Sequence, residues 1–256
     1  MLKKRVIPVL LISQGRMVKG TQFSDFRDTG RPNSAVRIYS AQDTDELVFL
    51  DIEANQSNDE SHESLISVIR SAAEECFMPL AAGGGIDSLD KVRQLILAGA
   101  DKVVINTAAV LNPDLISQTA KKFGSQCVVA GIDYRNGHDG ARVWIKSGSV
   151  KTDLDPVSHA CKLVKLGAGE IFLNSIDRDG MMDGYDLDMA DKISKAVSVP
   201  VIICGGAGNF MHLAEAFTKT DISAVACASL FHFRDNSPIR ARSNLRNLDI
   251  PMRTLK

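Results

Sequence analysis

The chain predicts an α/β fold, a (β/α)8 TIM barrel assembled from two half-barrel repeats, and three observations carry that prediction. Eight short, continuously apolar runs alternate with helical patterns over 256 residues, as parallel strands covered on both faces require. Landmark residues recur at one spacing: Leu11 and Asp133, Gly83 and Gly205, and Thr107 and Ser229 are each 122 positions apart, and Glu46 and Glu170 are 124 apart. Each half carries one proline-led strand that runs into a glycine cluster, Ala82-Gly83-Gly84-Gly85-Ile86 and Cys204-Gly205-Gly206-Ala207-Gly208. Eight strands with crossover helices in about 250 residues describe a closed barrel; a doubly wound open sheet is the alternative. One domain spans residues 1–256.

Taken in order, Arg5–Ile12 is the first strand. Its basic start is not a targeting signal, because Val6–Ile12 is short and runs into Ser13-Gln14-Gly15 without a small-residue cleavage pattern. The following loop, Gln14 to Pro32, is long for a strand-to-helix connection and carries Arg16, Lys19, Arg27 and Arg31. Loops of this length often act as lids, so Lys19 is either a phosphate-contacting lid lysine or a solvated one. Glu46–Ile52 is the second strand and Ser64–Glu75 a helix. Met78–Ala82 leads into the first glycine cluster, then helix Leu89–Ala98. Lys102–Asn106 and helix Pro113–Lys122 complete the first half.

The second half repeats the scheme. Cys127–Asp133 ends in a carboxylate at the mouth, suited to general acid–base work or to capping a loop. Trp144 falls in a small hairpin after it and reads as packing. Helix Pro156–Leu166 precedes strand Glu170–Ser175. Asn174 to Gly180 is dense in polar groups, and Asp179 there either accepts substrate hydroxyls or pairs locally with Arg178. Helix Leu187–Val197, strand Val199–Cys204, helix Phe210–Thr218 and strand Ala224–Ala228 follow. The C-terminal arginines Arg234, Arg240, Arg242, Arg246 and Arg253, interrupted by Asp235 and Asp249, read as a solvated closing helix and tail.

Glycine lets backbone approach an anion closely, and a helix start beyond it directs amides at the anion. Two such cups in register, with Gly83, Gly84, Asn106 and Thr107 in one half and Gly205, Gly206 and Ser229 in the other, fit a ligand with a phosphate at each end. Tight turns alone would also use these glycines. Composition narrows the partners. Lys and Arg total 30 against 31 for Asp and Glu, a net charge of −1, so no basic field argues for nucleic acid. No apolar run approaches the roughly 18 residues of a membrane span. Five cysteines match no zinc or redox spacing and five histidines do not cluster, so neither a metal nor another cofactor is expected, and the thiols fit a reducing cytoplasm.

Several stretches together resemble the HisF family, the cyclase subunit of imidazole glycerol phosphate synthase: Gly15-Arg16-Met17-Val18-Lys19-Gly20-Thr21, Asp45 to Ile52, Gly83-Gly84-Gly85-Ile86, Ala100 to Ala109, Phe123-Gly124-Ser125-Gln126, Ser175 to Gly180 and Gly205-Gly206-Ala207-Gly208. The resemblance covers nearly the whole chain. It implies a two-phosphate ligand and a HisH-type glutaminase docked on the bottom face, with ammonia passing through the barrel. It assigns phosphate positions to Gly83, Asn106, Thr107, Gly205 and Ser229, the general base to Asp133, ligand contacts to Asp179 and Lys19, a charged ammonia gate to Arg5, Glu46, Lys102 and Glu170, and a place near the glutaminase contact to Asp101.

One departure stands out. The family ends its first strand in a catalytic aspartate, and this chain has Leu11 there. Asn174 and Met181 also stand where the family has threonine. Intact cups and gate with one acid missing resemble the second HisF-like, WbuZ-type group of surface-polysaccharide pathways. That resemblance implies ammonia delivery to a sugar amidotransferase, with impaired cyclase chemistry. The alternatives are an authentic cyclase subunit of histidine biosynthesis, and a non-catalytic, ligand-sensing activator of a glutaminase.

Overall fold

The computed structural model describes residues 3–54, 59–232 and 236–253. Arg234 and Asp235 lie outside them. Apolar residues at every position of the short runs suit only strands packed on both faces, and the chain builds its layers from that property. β1 (Arg5–Ser13) continues into a hairpin of β2 (Arg16–Thr21) and β3 (Ser24–Gly30), followed by α1 (Pro32–Ala41), β4 (Leu47–Asp51) and α2 (Asp59–Glu75). Next come β5 (Leu80–Gly83), α3 (Leu89–Ala98), β6 (Lys102–Ile105), α4 (Thr107–Leu111) and α5 (Asp114–Phe123). The second half runs β7 (Val128–Arg135), hairpin strands β8 (Arg142–Ile145) and β9 (Val150–Lys151), α6 (Pro156–Lys165), β10 (Glu170–Ser175) and α7 (Leu187–Ala196). It closes with β11 (Val201–Cys204), α8 (Phe210–Lys219), β12 (Ala224–Cys227), α9 (Ser229–His232) and α10 (Pro238–Asn247).

The parallel order β1-β4-β5-β6-β7-β10-β11-β12 returns to β1, where Arg5 pairs with Ala224 and Ile7 with Ala226. The sheet is therefore a closed (β/α)8 barrel, not an open sheet. Alternate side chains separate two cores. Val6, Leu10, Phe49, Ile105, Ile132 and Ile171 pack outward against the helices. Ile7, Val9, Val48, Val104, Phe172 and Ile202 fill the barrel interior.

Several expectations shift for identifiable reasons. β5 and β11 begin just beyond Pro79 and Pro200, which have no N–H to give the ladder. Their carbonyls still accept, from Leu47 N and Ile171 N, both at 3.0 Å. The long first loop is a two-stranded hairpin, although β3 is polar and almost wholly exposed; its pairing to β2 overrides its poor strand propensity. α1, α4 and α9 were not anticipated. The closing helix is not simply solvated. Arg242 is 1% exposed and meets Asp45 at 3.2 Å and the Gln42 carbonyl at 2.8 Å, while the other Asp45 oxygen accepts from Val6 N at 3.0 Å. Among the described residues, no helix is long and apolar enough to cross a membrane.

Candidate active site at the strand ends

Strand parity decides what reaches the barrel mouth. Residues two beyond the interior layer form its rim: Asn106 just follows β6, and Asp133 and Asn174 lie near the ends of β7 and β10, three strands that are neighbours in the sheet. Across the barrel, Cys204, Ala228, Leu11 and Leu50 pack on the apolar interior. One arc of the mouth is polar and the other aliphatic. Leu11 faces inward, four strands from Asp133 around the barrel, so no carboxylate from β1 faces Asp133.

Asp133 is clamped by amides from both neighbouring strands. Asn106 Nδ2 donates to Oδ2 at 2.6 Å and Asn174 Nδ2 to Oδ1 at 3.2 Å. Asp133 keeps partial accessibility, yet protein surrounds the carboxyl. Burial pushes its pKa up to about 7, against the two amide hydrogen bonds, which lower it; the charge of Asp179 raises it further. An aspartate with this pKa exchanges protons readily near neutrality. Asn106 was expected at a phosphate; its amide is directed at Asp133. The Oδ1 atoms of Asn106 and Asn174, the Oδ2 of Asp179 and the Oγ of Ser229 are buried without a hydrogen-bond partner. Buried polar atoms seldom stay unpaired, and these four lie at the ends of barrel strands or in the loops just beyond them.

Lys19 does not stand free in solvent. It is 1% exposed, and Nζ donates to Asp179 Oδ1 at 2.7 Å and to the Gly20 carbonyl at 2.8 Å. Gln22 N donates to the Asp179 carbonyl at 2.8 Å. The β2–β3 hairpin is thus docked on the loop after β10. The β8–β9 hairpin reaches over from the other side. Lys146 N donates to Thr107 Oγ1 at 3.0 Å and Ser147 Oγ to the Ile52 carbonyl at 3.1 Å. The two hairpins meet where Phe23 packs on Gly148: a Cβ at Gly148 would lie 2.9 Å from the ring.

Glycine turns lie at the ends of β5 and β11. Gly84 and Gly206 both have φ of 110°, in the region that L side chains avoid. A Cβ on Gly84 would lie 2.3 Å from the Asp51 carbonyl, and one on Gly206 2.0 Å from that of Gly184. Close packing of neighbouring loops therefore requires these glycines with or without an anion.

At the opposite end, the four predicted charges meet in a closed ring. Arg5 reaches Glu46 at 2.6 Å and Glu170 at 2.9 Å; Lys102 reaches Glu46 at 2.9 Å and Glu170 at 3.0 Å. Each cation bridges both carboxylates beneath the apolar interior. Asp101 lies at the same end, where Oδ2 accepts from Leu80 N at 2.8 Å; Phe77, fully exposed, and Met78 lie beside it. Among the described residues, no group of three His, Cys, Asp or Glu side chains is placed to hold a metal ion.

Sequence reasoning missed Asn174 as a carboxylate partner and Trp144 as a mouth residue. Asn174 had a signal in the two-residue alternation Glu170, Phe172, Asn174. Trp144 had none without the hairpin register, which sets it opposite Asp133.

A profile of the family described as Histidine biosynthesis protein matches residues 5–237. Among similar proteins, the imidazole glycerol phosphate synthase subunit HisF of Alkaliphilus metalliredigens (strain QYMF) is 45% identical over 254 residues, covering 99% of this chain and all of that protein. The subunit of the same name from Hydrogenobaculum sp. (strain Y04AAS1) is 46% identical over 254 residues, with the same coverage. That of Caulobacter vibrioides (strain NA1000 / CB15N) is 47% identical over 255 residues, covering 99% of this chain and 97% of that protein.

Proposed function

This chain belongs to the histidine biosynthesis protein family, as a HisF-type barrel, and from that premise we propose that it is the ammonia-using subunit of a synthase of the imidazole glycerol phosphate type. The observation that carries the reading is Asp133: a mouth carboxylate clamped by two amides, with a pKa of about 7. In this reading the cups at Gly83-Gly84 and Gly205-Gly206, with Thr107 and Ser229, hold the two phosphates of a linear ligand. Asp179 and Lys19 separate to take up its polar middle. Asp133 removes and returns a proton as ammonia adds. Ammonia enters from a HisH-type glutaminase seated near Asp101, past Arg5, Glu46, Lys102 and Glu170. The apolar interior favours neutral ammonia over ammonium, since an unpaired ion there is heavily penalised.

The relatives' shared name favours this reading over the surface-polysaccharide role that the resemblance to the WbuZ-type group suggested. One specific observation keeps a second reading: Leu11 lies where a second acid–base group would stand, and it makes that arc of the mouth aliphatic. With a single proton-handling carboxylate, the barrel suits ammonia transfer to a simpler acceptor, such as a sugar amidated by an amidotransferase.

The test supplies the purified barrel with ammonium and the phosphoribulosyl-formimino intermediate of histidine synthesis, and follows imidazole glycerol phosphate. Turnover is expected, and Asp133→Asn should lower it by about 10²–10⁴-fold. No product from the wild-type barrel, while a HisH-type glutaminase is still activated by it, would rule out the synthase reading in favour of the second. A glutaminase activated equally by Asp133→Asn, with the pathway product unaffected, would leave only the ligand-sensing activator.

A further inference from the structure

We propose that Asn174 is the positioning residue of the mouth: its amide holds Asp133 so that this single carboxylate both takes and returns the proton that the site handles. The proposal rests on the reading of Asp133 as the proton-handling group and adds what keeps it ready for both steps. Its basis is the sheet register. β10 lies beside β7 and Asn174 pairs with Asp133, so both side chains leave the face that looks into the mouth. Asn174 Nδ2 donates to Asp133 Oδ1 at 3.2 Å, and Asn106 Nδ2 donates to Oδ2 at 2.6 Å from β6 on the other side. Each carboxylate oxygen thus has its own amide donor, and the carboxyl cannot turn without losing both. Asn174 is itself held. It is 7% exposed, and its Oδ1 would lie 3.4 Å from a Cβ placed on Gly205 in the loop after β11; glycine there leaves the amide its room.

What the clamp does follows from what an amide lacks. Near neutrality an amide neither gives up a proton nor takes one, so Asn174 and Asn106 hold the carboxyl without competing for the proton it carries. Their donors favour the charged form, whereas burial favours the neutral one. Burial pushes Asp133 up, the amides of Asn174 and Asn106 pull it back, the charge of Asp179 raises it again, and the balance lies at about 7. Both forms are then present near neutral pH, as a carboxyl that works in both directions requires. β1 offers Leu11 to the mouth, so it supplies no second acid. The other groups around Asp133 leave the clamp in charge. Asp179 is paired with Lys19 at 2.7 Å. Cys204 of β11 pairs in register with Asn174, and burial pushes its thiol up, so it stays neutral. Arg135, two residues on in β7, is turned over the Trp144 ring and held 3.6 Å from Asp177. Trp144 of β8, opposite Asp133, carries no titrating group, and Lys146 beyond it is exposed.

The test reads Asp133 directly. Its carboxyl carbon is titrated by carbon-13 NMR in the whole barrel, assigned as the signal that Asp133→Asn lacks, with no substrate present. The wild-type carboxyl should titrate at about 7. Asn174→Leu, which keeps the bulk and removes the donor, should move the midpoint up by about one pH unit. Asn174→Asp, the same shape with a second carboxyl, should move it further and divide the titration into two steps; it keeps the test in force if the leucine variant does not fold. With ammonium and the phosphoribulosyl-formimino intermediate, the acid limb of the kcat/KM profile should move up equally in Asn174→Leu, a loss of about 10-fold near pH 6 that shrinks toward pH 9. A merely structural role would lower the profile evenly at every pH. Such an even loss, a midpoint within about 0.2 unit of wild type in the variants, or a wild-type midpoint near the ordinary value of about 3.9 overturns the proposal. A midpoint that moves as expected in a barrel with no turnover of that intermediate at any pH leaves the positioning standing and overturns the synthase reading.

Discussion

At the scale of single residues, two groups whose pKa values burial shifts change stability in opposite directions as pH rises. Asp133 holds its proton up to about pH 7 because burial disfavours the carboxylate, whereas an unfolded aspartate releases it near 3.9. Between those values the native chain binds more protons than the unfolded one, so this residue subtracts stability as pH rises from about 4 to about 7. Asp133→Asn should therefore be more stable than wild type at pH 8, by about 1–2 kcal/mol after allowing for partial solvent access, and indistinguishable near pH 4. Urea unfolding at the two pH values checks this, and equal stability at pH 8 refutes it. His159 acts in the other direction. Burial, assisted by the charge of Lys162, lowers its pKa to about 4. Its cost is absent above about 6.5 and grows as pH falls toward 4, so His159→Leu should unfold later than wild type at pH 5, seen as a higher melting temperature. Asp133 was legible because it ends an apolar strand. Its two amide partners were not, because Asn106 and Asn174 lie 27 and 41 residues away and reach it only through the pairing of β6 and β10 on either side of β7.

At the scale of elements, the β2–β3 hairpin stands on one buried ion pair. Lys19 and Asp179 are 160 positions apart, and both are nearly inaccessible. Removing one partner of a buried pair strands the other charge at a cost of about 3–5 kcal/mol. Lys19→Met should relieve that cost by undocking: amide exchange over 16–30 should speed up at least 10-fold, while β4, β6 and β11 keep their protection. Unchanged exchange in the hairpin would show that the Gln22 and Phe23 contacts suffice to hold it. The length and glycines of this segment mark it in the sequence as a covering element. Its strands are not legible, since Ser24–Gly30 has no apolar alternation and forms only because β2 offers an edge. The same holds for α10, whose arginines suggest solvent until Asp45, 197 positions before Arg242, enters the barrel floor.

At the scale of the molecule, the half-barrel repeat was readable as a near-constant offset because each half must solve the same closure problem. It locates the cups, the rim and the floor in a single frame. The floor is the most cooperative of the three. Glu46 is the least accessible of its four side chains and serves both cations. Glu46→Leu leaves Arg5 and Lys102 on Glu170 alone and should cost about 3–5 kcal/mol in urea unfolding. The double variant Glu46→Leu, Lys102→Leu should recover much of that, since charge balance with Arg5 and Glu170 is restored. Additive losses would mean that the four residues act as independent surface charges.

That floor is a ring of four ion pairs, and it borders the apolar interior above it. A lattice in which every cation holds two anions cannot yield by degrees: loosening one contact shifts load onto the other three. Parting the ring would take a surface able to offer these side chains other counter-charges, since a charge left unpaired beside the apolar interior is costly. On the proposed reading, ammonia would enter at this end only where an attached partner offers those counter-charges.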